Sequence, residues 1–320
     1  MLATPKTLLL GLVIDAAFGD PAVVYRRILH PVALIGRAIA WLDRRWNRED
    51  RAEPARRQAG AVVCLVLVLA SAVIGLAIER GLAELRFGWI IEGAILSLFL
   101  AQRSLYSHVA DVAGALKTGG VANARTAVAK IVGRDPESLD EAGVCRAALE
   151  SLAENFSDGV VAPAFWALMF GLPGILVYKT VNTADSMIAH KTPRHRAFGW
   201  ATARCDDLIN LIPARIAGFL IVASCFVLSG ARGADAFRAM MRDAAKHRSP
   251  NAGWQEAALA GALGVGLAGP RRYAGVVVED HWMNLGGRRE ATVDDIRKAL
   301  RLYVTACILQ AAVVALVAFI

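Results

Sequence analysis

The sequence predicts an all-α, polytopic integral membrane protein with short or re-entrant helices and amphipathic cytoplasmic helices. Three observations carry that prediction. First, 56% of the 320 residues are hydrophobic and the mean hydropathy is +0.44, too apolar for an ordinary soluble domain, while 20% are charged, too many for a bare bundle of spans. Second, two runs carry no charge: AGAVVCLVLVLASAVIGLAI (59–78, 20 residues) and LYVTACILQAAVVALVAFI (302–320, 19 residues). A bilayer core is crossed by about 20 apolar residues, so both qualify as spans. Third, no stretch alternates with the period of two that marks a strand, and no repeat of 20–50 residues is visible. A single membrane-embedded domain over residues 1–320 is expected.

Each element follows in order. The N-terminus, MLATPKTLLLGLVIDAAFGDP, has the look of a secretion signal, but Asp15 interrupts its apolar core and Asp20-Pro21 follows. A retained membrane-entering segment is expected, with cleavage as the alternative. Residues 43–57 hold six Arg and four acids and read as a charged cytoplasmic loop. After the first clean span, GWIIEGAILSLFLA (88–101) can return, with Glu92 as an acid near one end. Residues 102–158 read as an amphipathic cytoplasmic helical segment: a helix, a break at Gly119-Gly120, a second helix, a stop, and a new helix opened by a Ser138/Glu141 capping box.

The next apolar stretch, 160–181, is interrupted at Gly171-Leu172-Pro173-Gly174, and its halves are too short to cross. Basic residues flank both ends: Arg134 and Arg146 before, then Lys191, Arg194, Arg196 and Arg204 after. A re-entrant hairpin keeps both flanks on the cytoplasmic side; a kinked full span is the alternative. The segment 208–230 carries Pro213 and Arg215 near its start, and AALAGALGVGLAG (257–269) is rich in the small residues that let helices pack closely. Before the last span, Thr292 and Asp295 form a cap-like pair, and Arg297, Lys298 and Arg301 assign that end to the cytoplasm.

The charge balance, 36 − 28 = +8, resides in loops beside apolar runs, and no basic motif is interleaved with aromatics, so nucleic acid is not an expected partner. The five cysteines are dispersed and suggest neither a zinc site nor a disulfide framework. There is no P-loop, no G-x-S-x-G and no H-E-x-x-H.

Four constellations stand out. In SLAENFSDGVVAPAFW, Arg146, Glu150, Glu154 and Asp158 recur every four residues, which lines them along one helix face. Arg146 can offset Glu150, whereas Glu154 and Asp158 lie near the helix C-terminus, where the macrodipole disfavours anions. They call for a cation from elsewhere, a metal ion or a basic side chain; the plainer reading is a solvated acidic face. In VNTADSMIAHK, Asn182 and Asp185 follow the broken hairpin, which would return them beside Glu154 and Asp158. In ARCDDLINLIPAR, Asp206 and Asn210 share a face beside Asp207, flanked by Arg204 and Arg215. Such oxygen ligands suit Mg²⁺, which uses one or two carboxylates plus substrate phosphate. In KHRSPNAGWQEA, Ser249-Pro250 reads as an N-cap with Pro at N1, and Lys246, His247 and Arg248 converge on that helix start, where phosphate would be attracted; Glu256 lies further in.

Taken together, GDP (19–21), HPVALIGRAIAWLD (30–43), ENFSDGVVAPAFW, YKTVNTADSMIAHK, FGWATARCDDLINLIPARI, HRSPNAGWQEAALAGAL and GPRRYAGVVVED occur in an order that resembles the membrane-bound adenosylcobinamide-phosphate synthases, the CobD/CbiB family. The match covers nearly the whole chain; the 43–57 segment and the two clean spans contribute little to it. The resemblance implies an amide-forming ligase of cobalamin biosynthesis that joins a propionate of adenosylcobyric acid to aminopropanol or its O-phosphate, requires ATP and Mg²⁺, and sits in the cytoplasmic membrane. Other late corrin-pathway membrane enzymes are expected neighbours. Onto this chemistry the residue reading assigns Glu154, Asn155, Asp158, Asn182 and Asp185 to catalysis. Substrate binding falls to His30, Lys191, Arg204, Arg215, His247, Arg248, Ser249, Asn251 and Glu256, and Mg²⁺ to Asp158, Asp185, Asp206, Asp207 and Asn210. The chain lacks D-x-H-x-x-G, so no protein His is expected on cobalt. Two competing readings are a Mg²⁺-dependent intramembrane transferase acting on a diphosphate, echoed by NTAD and DDLIN, and a membrane transporter.

Overall fold

The computed structural model describes residues 5–20, 25, 29–133, 136–190, 192–273, 276–278 and 280–319. Pro21, Arg134, Lys191, Ala274, Gly275 and Glu279, all used above, lie outside the described residues. The described chain is built of helices: α1 (Pro5–Phe18), α2 (Pro31–Trp46), α3 (Glu53–Ala83), α4 (Gly88–Ser97), α5 (Gln102–Val128), α6 (Glu141–Phe156), α7 (Ala162–Ile188), α8 (Trp200–Ile209), α9 (Leu211–Val227), α10 (Gly233–Asp243), α11 (Ala252–Leu263) and α12 (Val293–Phe319). Three stretches are long and apolar enough to cross a membrane: Glu53–Ala83, Glu141–Ile188 and Val293–Phe319. A fourth is added if α8 and α9, broken at Asn210, are one bent span. The protein is therefore a helical membrane protein.

Four strands of two or three residues interrupt the helices: β1 (Leu267–Ala268) pairs antiparallel with β4 (Trp282–Met283), and β2 (Arg271–Tyr273) with β3 (Val276–Val278). They are too short to display an alternating pattern, which explains why the sequence shows none.

Within the single domain expected from the sequence, contacts define two compact units. The first contains Met1–Ala101, Ala162–Asn210 and Val314–Ile320; the second contains Gln102–Val161 and Leu211–Val313. In the first unit, α3 is an apolar rod with many outward Leu, Val and Ile side chains, as a lipid-facing helix requires. Against it lies α7, which is two helices joined at Gly171. That glycine takes φ 65° and ψ −149°, backbone that L side chains rarely adopt. A Cβ on Gly174 would overlap the Trp166 carbonyl. In an unbroken helix those two positions lie about 12 Å apart, so the chain turns sharply back on itself at this break, as the hairpin reading of 160–181 expects. The second limb runs antiparallel to α3. Its start, Pro173, touches Gly75. Ser71 and Thr180 hydroxyls bond at 2.8 Å, and Ala184 and Ile188 close a small core with Ile39, Ala59, Val63, Leu67 and Phe198.

The charged 43–57 stretch is mostly helix, unlike the loop expected: α2 runs through Trp46 and α3 opens at Glu53. The reason is a polar knot. Asp43 accepts from Asn47 (2.8 Å) and Arg194 (2.9 Å), buried Asn47 also donates to the Arg194 carbonyl, and Arg56 donates to both Asn47 and that carbonyl. Burial by itself would raise the Asp43 carboxyl, but the Arg194 and Asn47 hydrogen bonds outweigh it and hold the group below the usual carboxylate range.

The second unit has the larger core, with Val109, Val112, Leu149, Leu152, Phe156, Ile221, Leu259 and Tyr303 among its buried members. The break in α5 falls at Gly120 (φ 65°), as the Gly-Gly pair predicts. The α6 cap differs from expectation: the helix opens at Glu141, and Asp140, not Ser138, accepts the Gly143 amide at 2.7 Å. The short α11 is buried along its length and packs closely, as its small residues predict; Gly261 lies against the Asp235 carbonyl and Ala236. Thr292 and Asp295 cap α12 reciprocally: both the Thr292 amide and its hydroxyl donate to Asp295, at 2.8 and 2.9 Å, and the Asp295 amide returns to Thr292 at 3.4 Å.

Candidate functional site

The hairpin explains how the first cluster forms. On its second limb, Tyr178, Asn182 and Asp185 follow at four and three residues and share a face. That face meets α8. Asp206 accepts from Asn182 Nδ2 on Oδ1 (3.4 Å) and from Asn210 Nδ2 on Oδ2 (3.0 Å). Asn210, fully buried at the α8 C-terminus, accepts the Tyr178 hydroxyl at 3.0 Å. From the first limb, Trp166 Nε1 donates to the Ile209 carbonyl at 3.0 Å and so occupies one of the acceptors that a helix end leaves open. The result is a carboxylate held at both oxygens by amides, with the Asn210 amide held in turn by the Tyr178 phenol and the Asp206 carbonyl. Asp207 pairs with exposed Arg204 at 3.2 Å and lies close enough to Asp185 for the two charges to repel.

The sequence thus identifies Asn182, Asp185, Asp206, Asp207, Asn210 and Arg204, and the fold brings them together in one unit. It misses Tyr178 and Trp166, because an aromatic in an apolar run reads as core; their only signal is their spacing from Asn182 and from the hairpin break. His30 serves locally as the α2 N-cap: Nδ1 accepts the Val32 amide (3.2 Å), and Nε2 lies 3.3 Å from Asp20.

In the second unit, the four-residue ladder of acids does not form one uniform face. Glu150 turns inward and accepts the Ala268 amide at 2.9 Å, fixing a residue with φ 57°, while Arg146 donates to the Arg289 carbonyl, not to Glu150 as expected. Glu154 and Asn155 are exposed, with Asn155 bonded to Ser151. Asp158 lies in a π-helical turn, Ser157–Val161. The extra residue of that turn shifts the register, and such turns recur at functional sites.

The fourth constellation is also rearranged. The helix begins at Ala252 with Asn251 in the N-cap position; Ser249 sits just before it and accepts the Asn251 and Ala252 amides, each at 3.2 Å. Lys246, His247 and Arg248 do not converge as expected, because separate acids draw them apart: Lys246 to Asp243 (2.9 Å), Arg248 to Asp280 (3.0 Å) and His247 to buried Glu256 (3.8 Å). Burial would raise Asp243, but Arg242, Lys246 and the Asn284 amide hold it below the usual range. Asn251 instead receives Arg215 Nη1 at 3.0 Å, and the Arg215 guanidinium stacks on Trp254, 4.6 Å from the ring centre. Arg215, Asn251, His247, Ser249 and Glu256 therefore form a connected polar group, and Trp254 is its unforeseen member. Among the described residues, no three His, Cys, Asp or Glu side chains gather as a metal site.

A helical membrane protein with oxygen-rich polar clusters at the edges of broken helices is the class that this fold and these sites define. The chain belongs to the CobD/Cbib protein family, whose model matches residues 8–303, and its role lies in cobalamin biosynthesis. It is 51% identical over 315 residues to a cobalamin biosynthesis protein CobD of a Sinorhizobium species, covering 98% of each chain. It is 48% identical to the protein of that name from Rhizobium meliloti, over 94% of this chain and 92% of the relative. It is 49% identical to the Rhodobacter capsulatus one, over 95% and 94%. No solved structure matches.

Proposed function

We propose that the chain is a ligase that forms an amide between a propionate carboxylate of adenosylcobyric acid and the amine of aminopropanol or its O-phosphate, using ATP. Its near full-length identity to cobalamin biosynthesis proteins is the observation that carries this reading. The chemistry asks for two things that the residues offer. A carboxylate does not accept an amine at neutral pH unactivated. The propionate oxygen attacks the terminal phosphorus of ATP and ADP leaves; the amine then attacks the acyl carbon, phosphate leaves, and the ammonium proton passes to a carboxylate.

Asp185 and Asp207, two mutually repelling carboxylates on adjoining helices, are the candidate ligands for Mg²⁺, an ion that takes its remaining ligands from phosphate and water. Mg²⁺ bound there would neutralise charge on the transferred phosphoryl group. Asp206, engaged on both oxygens, orients Asn182 and Asn210, and exposed Arg204 faces phosphate. In the second unit, exposed Glu154 is the candidate proton acceptor, and Arg215 with Asn251 is the candidate anchor for a substrate carboxylate or amide.

The test is direct. Purified protein in detergent is given adenosylcobyric acid, aminopropanol phosphate, ATP and Mg²⁺. The corrin should gain the mass of the amine less one water, with ADP and phosphate released in equal amount. An unchanged corrin from demonstrably folded protein would overturn the ligase reading, as would conversion without ATP.

A further inference from the structure

A cavity of about 430 Å³ opens on the second unit, lined by none of the residues assigned above to catalysis, substrate or metal. Its walls are Tyr106 of α5, Leu228 just past α9, and Leu300 and Val304 of α12; Arg297 and Arg301, one turn apart, stand at its polar end. Thr305 completes the lining one turn deeper than Arg301. The place of this cavity along the chain matters. Arg301 is the last charge before the run 302–320, so the two guanidiniums sit where α12 passes from water into the hydrocarbon, and the aliphatic walls continue into the span. Among the described residues, the acidic partner of Arg297 is exposed Asp294, at 2.8 Å. Among the described residues Arg301 has no acidic partner.

Two cations at headgroup depth, with an apolar groove leading inward from them, match one ligand in both halves. We infer that the cavity binds an anionic phospholipid, its phosphate on Arg297 and Arg301 and its acyl chain along Leu228, Leu300 and Val304. A soluble phosphate would satisfy the arginines but gain nothing from the aliphatic walls; a zwitterionic lipid would fill the walls but bring its own cation to the arginines. Basic recesses between membrane helices favour anionic headgroups for this reason.

Native mass spectrometry of the full chain released from detergent tests this. The protein is loaded with equal phosphatidylglycerol and phosphatidylcholine. One phosphatidylglycerol should be retained with about tenfold preference, and Arg301→Gln should abolish that preference. Lys298→Gln, an exposed neighbour outside the cavity, should keep it. Val304→Trp fills the groove from its exposed side and should expel the lipid without touching a charge, which keeps the test open should Arg301→Gln fail to fold. Equal retention of the two lipids by the unmodified chain would overturn the inference. So would an equal loss in Lys298→Gln, which would mean diffuse surface charge, or displacement of the lipid by millimolar inorganic phosphate or ATP, which would assign the cavity to a soluble anion.

Discussion

Asp206 shows how much a single residue discloses through its place in the chain. An acid beside an apolar run costs solvation unless something answers it, so its presence asks for partners. Asn210, four residues on, is the partner that the sequence supplies. Asn182 arrives through the fold, and Tyr178 behind Asn210 is signalled by nothing but its spacing from Asn182, since its hydroxyl matters only once a buried amide faces it. This ordering makes two predictions. Tyr178→Phe leaves the Asn210 side-chain oxygen buried without that donor and should lower stability by about 1–3 kcal/mol, read from thermal unfolding in detergent, while leaving residual turnover. Asp206→Asn removes the charge that organises both amides and should abolish turnover with membrane insertion intact; full activity would remove the site from this cluster. At Asp43 the sign of the pH effect is set by its depressed carboxyl. The stabilisation is present above the ordinary carboxylate range and is lost as pH falls through the lower folded value, so acid should loosen the α2–α3 connection first. Hydrogen exchange of residues 43–57 against pH measures this, and Asp43→Asn should flatten the profile.

Among elements, the hairpin and the Thr292–Asp295 cap of α12 are legible in the sequence, and the caps of α6 and α11 are not. Gly-Leu-Pro-Gly inside an apolar run, with basic flanks on both sides, narrows the sequence to a reversal or a kinked span, because two short limbs cannot cross and proline disrupts a helix. The sequence places the helix starts at Glu141 and Ala252 about two residues early, because Ser138, Asp140, Ser249 and Asn251 all have capping side chains and local sequence does not rank them. The short strands escape for want of length. The hairpin also predicts its own weak points. Gly171→Ala forces a Cβ into positive φ and should destabilise by about 1–3 kcal/mol. Gly75→Leu has no such strain but drives a side chain into Pro173, so it should separate α7 from α3 and reduce protease resistance of the hairpin while leaving α3 inserted.

For the whole molecule, a hydropathy profile conveys spans but not partnership. The two compact units each draw on separate stretches of chain, the first joining 1–101 to 162–210 and the second joining 102–161 to 211–313. No linker marks those boundaries, so the sequence reads as one domain. For sidedness, we propose a reading from the first unit's internal geometry. Gly60 of α3 touches Phe198, near the Asp43–Arg194 knot, and Gly75, fifteen residues further along α3, touches the hairpin turn at Pro173. That separation is about 22 Å at 1.5 Å per residue, short of the ~30 Å hydrocarbon core. On this proposal, a hairpin whose turn stops there would enter and leave by the same face, the one that holds the arginine-rich 43–57 stretch. Cysteines placed at Asp50 and at Ser186, both exposed, should then react with an impermeant maleimide from the same side, which by the positive-inside rule should be the cytoplasmic one. Reaction of the Ser186 position from the opposite side, with Asp50 still cytoplasmic, would mean that the second limb crosses the bilayer, and the polar cluster of Asn182, Asp185 and Asp206 would lose its access to ATP.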